Sequence, residues 1–331
     1  MNSATDLARF RRLVTATIVA TFVLILIGGI VRVSDSGLGC GPAGSGTHGW
    51  PLCEGGVIPA ASAESVIEYS HRIAAGVVSV LMLMVAWRAW RTLREHRWIV
   101  GLSATAGVLV LAQAGLGGLT VEEGLNEYLV AAHLGLAMIF LGALFALRRL
   151  ASASKPAPAS GSGLLRSLAA LTAVLVLATI VAGGLVAGTE GEGTPTEPVL
   201  GAHTACGEQF PTCLDRFMPF GLDRLVDIQL VHRLFMYLTA LAVVALVAIA
   251  IRQQAPSRSF VAVGGLVAAQ ILLGAANVWL GKHAGLILAH LSLGTVIWAS
   301  IVYANTTLMA IPAPRSARAR HRDAATEAAT V

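Results

Sequence analysis

The run Leu13–Val31, LVTATIVATFVLILIGGIV, contains no charged residue along its whole length. A helix needs about 20 apolar residues to cross the roughly 30 Å hydrocarbon core of a bilayer, so this run predicts a transmembrane helix. It is too long for a signal peptide and lacks a small-residue cleavage site, which predicts that the helix is retained.

Seven further runs of the chain predict helices of the same kind. Five of them are as apolar as the first: Trp98–Val121, Tyr128–Leu147, Ser167–Thr189, Ser259–Gly281 and Ala284–Leu308. Two are shorter, Ile73–Trp87 and Leu234–Ile251, and reach full length only if each helix begins a turn or two earlier. The earlier start brings Glu68, His71 and Arg72 into one helix and His232 and Arg233 into the other. Such residues are costly inside a membrane and indicate a function.

The composition agrees with a membrane protein. Of 331 residues, 56% are hydrophobic and only 12% are charged, whereas soluble domains carry roughly 25% charged residues. A large soluble domain is therefore excluded. The net charge of +5 does not indicate a nucleic-acid partner, because the basic residues lie in short connections between apolar runs.

The distribution of charge predicts the orientation. Arginines occupy alternate connections, as expected of cytoplasmic loops: Arg9, Arg11 and Arg12, Arg88–Arg97, Arg148–Arg166, Arg252 and Arg258, and Arg315–Arg322. The other connections carry the acids Asp35, Glu54, Glu122, Glu123, Glu190, Glu192, Glu197, Asp215 and Asp223. We expect both termini in the cytoplasm and the cysteine-containing loops outside it.

An internal repeat relates the two halves of the chain. Gly28-Gly29-Ile30-Val31 recurs as Gly183-Gly184-Leu185-Val186, and His71-Arg72 recurs as His232-Arg233. Gln113 and Gly117 recur as Gln270 and Gly274, and His133 and His290 each follow the glutamine by twenty residues. The expected fold is all-α, with eight transmembrane helices forming two four-helix bundles. Since each unit has an even number of helices, the repeats should be parallel.

Four of the nine histidines belong to this repeat: His71, His133, His232 and His290. Each half can direct two imidazoles from different helices into one interior space. A bundle interior with two axial imidazoles suits a haem. Core histidines that bond across helices are the alternative. A zinc or copper site would lack ligands, since two histidines per half are too few. No role is assigned to His48, His203, His283, His96 or His321.

Arg72 and Arg233 directly follow two of these histidines. Their guanidinium groups could pair with haem propionates, or simply extend to the membrane boundary. Glu68 precedes His71 by three residues, whereas the matching position before His232 is Gln229. Positions three apart share a helix face, so Glu68 should face the same cavity as His71. The difference between Glu68 and Gln229 predicts a base or charge stabiliser in the first half and an electron-carrying haem in the second. Capping of the helix together with Glu64 is the alternative.

The cysteines form one pair per half, Cys40 with Cys53 and Cys206 with Cys213. Three pairings are possible for four cysteines. One bridge within each short loop is favoured, and the expected extracytoplasmic position permits oxidation. Each bridge is either structural or an exchangeable, redox-active disulfide.

These motifs together resemble the haem A synthase family of bacteria over roughly residues 13–308. The resemblance rests on Gly28-Gly29 to Val33, Ser36-Gly37-Leu38-Gly39-Cys40, Trp50-Pro51-Leu52-Cys53, Glu68-Tyr69-Ser70-His71-Arg72, and the later His133, His232 and His290. One feature departs from the family pattern. Residues Gly41–Gly49 are inserted between the first cysteine and the Trp-Pro pair, so the shape of this loop is not predicted.

The resemblance implies an enzyme of the bacterial plasma membrane that oxidises the C8 methyl of haem O to the formyl group of haem A, for terminal oxidases of the aa3 type. It implies that His71 and His133 flank this substrate, that His232 and His290 ligate a haem b cofactor, and that Glu68 is needed for the oxidation. The partners it implies are the haem O synthase and oxidase assembly factors.

The expected domains are 1–155, the substrate half with its linker; 156–310, the haem b half; and 311–331, a disordered cytoplasmic tail. The main alternative function is a di-haem b-type cytochrome that relays electrons between quinol and a partner. It explains the four histidines equally well but not the difference between Glu68 and Gln229. A transporter built from parallel repeats leaves the histidines without a purpose.

Overall fold

Eight long helices make up most of the structure, a computed structural model that describes residues 3–59, 61–152, 156–190, 201–254, 258–281 and 283–313. The helices are α1 (Ser3–Val33), α2 (Ala63–Thr92), α3 (Arg97–Glu122), α4 (Glu127–Ser152), α5 (Gly163–Gly188), α6 (Arg224–Arg252), α7 (Arg258–Trp279) and α8 (Ala284–Leu308). Each is long and apolar enough to cross a membrane. The described ranges contain no β-strand beyond isolated bridges. This confirms the predicted all-α membrane fold with eight spans.

The two short apolar runs do belong to helices that begin earlier, as predicted. The Ser62 side chain caps α2 by accepting a hydrogen bond from the Ser65 N–H. The Asp223 side chain caps α6 in the same way, from the Leu225 N–H. Side-chain caps of this kind satisfy backbone donors at the start of a helix. Glu68, His71 and their counterparts on α6 therefore lie on helices.

The helices form two four-membered rings of neighbours. In the first ring α1 contacts α2, α2 contacts α3, α3 contacts α4, and α4 returns to α1; in the second, α5 to α8 follow the same order. Helices α2 and α4 thus lie diagonally across one bundle, and α6 and α8 across the other. The bundles meet along α1, α4, α5 and α8.

Small residues allow close approach where the bundles meet, as is common between transmembrane helices. Gly184 packs against Ala131, and Gly29 packs against Leu288 and Leu291. The Trp298 indole N–H also crosses the interface and donates to the Met138 carbonyl oxygen at 2.6 Å. The interface therefore combines backbone contact with a buried hydrogen bond.

The bundle has two distinct ends. We call one the cysteine-loop end; it comprises residues 34–62, 201–223 and the adjoining helix ends. The other is the linker end, where the connections 93–96, 156–162 and 253–254 lie. The predicted cytoplasmic arginines of the described chain fall at the linker end. Which membrane side each end faces stays a prediction.

The linker lies against the end of α8. Ala157 forms a β-bridge with Ile311, and the Ser160 N–H donates to the Leu308 carbonyl oxygen at 3.0 Å. Of the tail predicted to be disordered, residues 314–331, including Arg315–Arg322, lie outside the described residues. So do Glu192 and Glu197 of the loop after α5.

We predict that Gly188→Ala destabilises the contact between the bundles. A Cβ at Gly188 would lie 2.6 Å from the Cα of Glu127, so a helix must shift. Overpacking of this kind costs about 1–3 kcal/mol, which lowers the midpoint of thermal unfolding in detergent. Gly265→Ala is the control, because a Cβ there meets no atom within 4 Å. Equal midpoints for the two variants would contradict the prediction.

Candidate functional site

Each histidine of the first half lies against a glycine of the neighbouring helix. A Cβ added at Gly28 on α1 would lie 3.0 Å from Cε1 of His71 on α2. A Cβ at Gly117 on α3 would lie 3.1 Å from Cε1 of His133 on α4. The absence of a side chain at each glycine lets the imidazole ring lie against the next helix. Both rings are thereby held in the bundle interior.

The second half has the same contacts. A Cβ at Gly183 on α5 would lie 3.0 Å from Cε1 of His232 on α6, and a Cβ at Gly274 on α7 would lie 3.0 Å from Cε1 of His290 on α8. His71 and His133 lie on the diagonal helices α2 and α4, and His232 and His290 lie on the diagonal helices α6 and α8. The structure thus places two of the four predicted histidines in each bundle.

Two glutamines of the repeat hold the helices that carry these histidines. The Gln113 side-chain amide donates to the backbone carbonyl of His133 at 2.9 Å, and that of Gln270 donates to the carbonyl of His290 at 3.0 Å. In the sequence, the spacing of twenty residues between glutamine and histidine indicated only a duplication. The structure shows that the two residues at this spacing are joined by a hydrogen bond. Each glutamine joins α3 to α4, or α7 to α8, at the height of the histidine.

The ring nitrogens differ in their partners. His232 Nδ1 lies 3.0 Å from the carbonyl oxygen of Thr179. In the tautomer that carries its proton on Nδ1, the ring donates a hydrogen bond to this oxygen. Donation through Nδ1 leaves Nε2 with the lone pair that a metal requires. His71 has the corresponding backbone contact, with Leu24. The Nδ1 atoms of His133 and His290 are buried and have no hydrogen-bond partner among the described residues. These rings therefore offer unsatisfied nitrogens within the bundles.

Glu68 lies beneath the first cysteine loop and is only 4% exposed. One carboxylate oxygen accepts a hydrogen bond from the Cys40 backbone N–H at 2.7 Å. The other forms an ion pair with Arg72, one helical turn further on. Glu64 is exposed and the helix is capped by Ser62, so the structure does not support the capping alternative for Glu68.

Arg72 connects the helix to the same loop. Its guanidinium donates to the carbonyl oxygens of Gly49 at 2.5 Å and Leu52 at 2.6 Å, in addition to its ion pair with Glu68. A charged donor to several acceptors is a strong constraint at a membrane boundary. Pairing with propionates, one of the two predicted roles, stays a prediction.

Arg233 has the corresponding position in the second half. It donates to the carbonyl oxygens of Gln209 at 2.9 Å and Thr212 at 2.8 Å, and its guanidinium lies 5.6 Å from the Phe210 ring centroid. Gln229, the counterpart of Glu68, is 5% exposed, and its side-chain oxygen has no hydrogen-bond partner. The halves therefore share the arginine contacts and differ at the carboxylate.

The four cysteines pair within their loops, Cys40 with Cys53 and Cys206 with Cys213. The Gly41–Gly49 insertion lies over the end of α3. The Gly44 and Gly46 N–H groups donate to the backbone and side-chain oxygens of Glu122, at 3.1 and 3.2 Å. The inserted residues thus rest on the bundle by backbone contacts that the sequence did not predict.

One histidine without a predicted role lies near the second bundle. His203 is partly buried in a short 3-10 turn that contacts α5 and α6. In the sequence, only its position three residues before Cys206 could have indicated a role. The matching position before Cys40 in the first half is Gly37. Within the described chain, no three His, Cys, Asp or Glu side chains cluster as ligands for a metal ion.

Known proteins similar to this chain share its helical region. Residues 11–302 match the family described as Cytochrome oxidase assembly protein, COX15-CtaA. The chain is similar to the Heme A synthase of Halalkalibacterium halodurans, with 28% identity over 298 residues, 87% of this chain and 93% of that protein.

Two further relatives match over a shorter segment. The Heme A synthase of Alkalihalophilus pseudofirmus is 37% identical over 136 residues, 41% of this chain and 44% of that protein. The Heme A synthase of Bacillus pumilus is 34% identical over 138 residues, 40% of this chain and 42% of that protein. These two matches span less than half of either relative.

We predict that Arg72→Gln exposes the first disulfide to reductant. Loss of the charged hydrogen bonds to Gly49, Leu52 and Glu68 should favour opening of the loop, with reduction of Cys40–Cys53 about tenfold faster. Alkylation and mass spectrometry of the native protein after timed reduction measure both disulfides. Cys206–Cys213 is the internal control, and Arg233→Gln should reverse the pattern. Unchanged reduction of Cys40–Cys53 in Arg72→Gln would refute this role.

Proposed function

Because the chain belongs to the COX15-CtaA family of cytochrome oxidase assembly proteins, we propose that it acts as a haem A synthase. The substrate is haem O, and the reaction oxidises its C8 methyl to the formyl group of haem A. The relatives named Heme A synthase support this activity over the alternative of a di-haem cytochrome that only relays electrons.

The observation that carries the proposal is the pair of histidines on diagonal helices in each bundle. His71 and His133 extend from α2 and α4, and His232 and His290 from α6 and α8, with each ring packed on a glycine. A flat macrocycle would fit in the bundle interior, where the imidazoles of the two diagonal helices would hold it. The Nδ1 of His232 is held by the Thr179 carbonyl, which leaves its Nε2 free to hold a haem iron. The residues present therefore fit two haem groups.

The difference between the halves assigns their roles. We place haem O in the first bundle, between His71 and His133, because the buried carboxylate of Glu68 lies on the same helix as His71. The second bundle has the neutral Gln229 instead. There His232 and His290 would hold haem b, which supplies one-electron chemistry when bound. The Thr179 carbonyl orients His232 for this purpose.

In this reaction Glu68 stabilises charge and moves a proton. Oxidation of a methyl group develops positive charge on its carbon, and a fixed carboxylate stabilises that charge in a site of low dielectric constant. Each two-electron oxidation in which water supplies the oxygen also releases two protons, and a carboxylate can accept one of them. The Cys40 N–H and Arg72 hold both carboxylate oxygens, so the group is positioned before the substrate reacts.

The remaining assignments follow from the same proposal. The termini lie in the cytoplasm and the disulfide loops on the outer side, in agreement with the arginines at the linker end. Residues 1–155 form the substrate half and residues 156–310 the haem b half. The haem O synthase is the partner that delivers the substrate, and oxidase assembly factors receive the product.

Glu68→Gln is the sharpest test of catalysis. Glutamine keeps an acceptor for the Cys40 N–H but removes the negative charge, so the loop is retained while haem A formation falls by about a hundredfold or more. Membranes containing the wild type or the variant are supplied with haem O, and the extracted haems are identified by chromatography and mass.

The matched control is Gln229→Glu, which adds the carboxylate to the other half and should leave haem A formation in place. Undiminished haem A in Glu68→Gln would refute the role of the carboxylate. Haem b alone in the wild type would refute the synthase itself and favour the electron-relay cytochrome.

The resident haem should depend on the second bundle alone. In cells that make no haem O, His232→Ala and His290→Ala are expected to lose bound haem b, because each removes an imidazole that would hold the haem. His71→Ala should retain it. The measurement is the haem-to-protein ratio and the absorption spectrum of the purified protein. His283→Ala is the control, since His283 is exposed near the start of α8. Haem loss in His71→Ala equal to that in His232→Ala would contradict the assignment.

A further inference from the structure

The turn between α2 and α3 at the linker end carries an unusual group of side chains. Three tryptophans flank it, Trp87 and Trp90 on α2 and Trp98 on α3, and they are 61%, 52% and 54% exposed. Exposed tryptophans are common where helices leave a membrane, because the indole ring suits the headgroup region. We call Trp87–Gly101 the tryptophan turn.

Each tryptophan ring has the guanidinium group of an arginine of the same turn beside it. The guanidinium carbon of Arg94 lies 4.7 Å from the Trp90 ring centroid, and the Arg94 Nε also donates to the Trp90 carbonyl at 2.9 Å. The guanidinium carbons of Arg91 and Arg97 lie 6.0 Å from the Trp87 ring and 5.9 Å from the Trp98 ring. These cation–π contacts hold the charged groups at the turn.

The arginines also border a groove. It has a volume of about 480 Å³ and is lined by Trp90, Arg94, Arg97, Val100 and Gly101. Two of these residues present guanidinium groups, and the others present an indole ring, an aliphatic side chain and exposed backbone. The groove therefore joins two cations with an apolar wall formed by Trp90 and Val100.

The local charge is positive. The turn contains three arginines, Arg91, Arg94 and Arg97, and one acidic residue, Glu95. None of these arginines takes part in the salt bridges of the described residues, whereas Arg88, nearby on α2, is paired with Asp6 at 3.6 Å. Guanidinium groups bind phosphate oxygens in a bidentate manner. The groove is thus complementary to a phosphate bearing an apolar chain.

The second bundle lacks this arrangement. Its equivalent turn, between α6 and α7, has Arg252 and Arg258 but no tryptophan from residue 250 to residue 262. The turn between two helices at this end therefore does not require exposed indole rings, and arginines at this end occur without them. The tryptophan turn is a feature of the first bundle only.

We propose that the groove of the tryptophan turn binds the phosphate headgroup of an anionic phospholipid, with Arg94 and Arg97 contacting the phosphate and Trp90 and Val100 contacting the glycerol and upper acyl chain. The apolar wall favours a lipid over free phosphate, since free phosphate gains nothing from Trp90 or Val100. The site is separate from the histidine pairs, which lie toward the opposite end of the helices, and does not depend on the proposed synthase activity.

Quenching of tryptophan fluorescence by brominated lipid tests this directly. The full-length protein is reconstituted in phosphatidylcholine vesicles that contain a minor fraction of either brominated phosphatidylglycerol or brominated phosphatidylcholine. We expect stronger quenching by the phosphatidylglycerol. Arg94→Gln/Arg97→Gln should remove this preference, since each arginine near anionic lipid contributes a roughly fivefold preference.

Matched variants identify the position of the site. Arg252→Gln/Arg258→Gln removes the same charge from the other bundle at the same end and should retain the preference. Trp90→Phe should lose most of the selective quenching, and Trp279→Phe, an exposed tryptophan at the opposite end, should not. Trp90→Phe also keeps the test valid if the double arginine variant fails to fold.

Three results would overturn the proposal. Equal quenching by the two brominated lipids in the wild type would show that the groove does not select anionic lipid. Equal loss in both double arginine variants would show a general effect of surface charge. Abolition of the preference by inorganic phosphate, but not by sulfate at the same ionic strength, would show a site for free phosphate.

Discussion

The hydrogen bonds of Arg72 are the interaction on which the candidate site of the first half depends. A guanidinium at the boundary of a membrane helix is costly unless its donors are satisfied. Here it is satisfied by the carbonyls of Gly49 and Leu52 and by Glu68. The same contacts place the loop over the bundle and bring the Cys40 N–H to the Glu68 carboxylate. One cation therefore determines the position of the loop and of the carboxylate together.

Glycine determines the positions of the histidines in a comparable way. An imidazole in the interior of a bundle has several rotamers, but a glycine on the adjacent helix leaves a space against which one ring can lie. A Cβ added at Gly28 would lie 3.0 Å from the His71 ring, and a Cβ added at Gly183 would lie 3.0 Å from the His232 ring. This explains why the glycine pairs recur with the histidines in sequence: the odd-numbered helices supply the space, and the even-numbered helices supply the rings.

Hydropathy was sufficient to predict the eight helices, because a membrane requires long apolar segments whose backbone is bonded internally. The extended starts of α2 and α6 followed from the minimum length of such a helix. The recurring spacings also predicted the placement of two histidines in each bundle, on its second and fourth helices. The contacts of Glu68 with Cys40 and of the inserted Gly44 and Gly46 with Glu122 could not be predicted. They depend on irregular loops, which have no periodicity, and the position of His203 depends on the same kind of loop.

The comparison of Glu68 with Gln229 shows how a duplicated scaffold can hold two different sites. Arg72 and Arg233 both bind loop carbonyls, so neither arginine requires a carboxylate to keep its loop in place. The second half shows that a neutral residue is compatible with the architecture. A buried carboxylate must be paired and hydrogen-bonded, and Glu68 meets this requirement through Arg72 and the Cys40 N–H. Because the second half holds its loop with a neutral glutamine at the matching position, the negative charge is the feature that only the first half has, and we place the chemistry of the proposed reaction at Glu68.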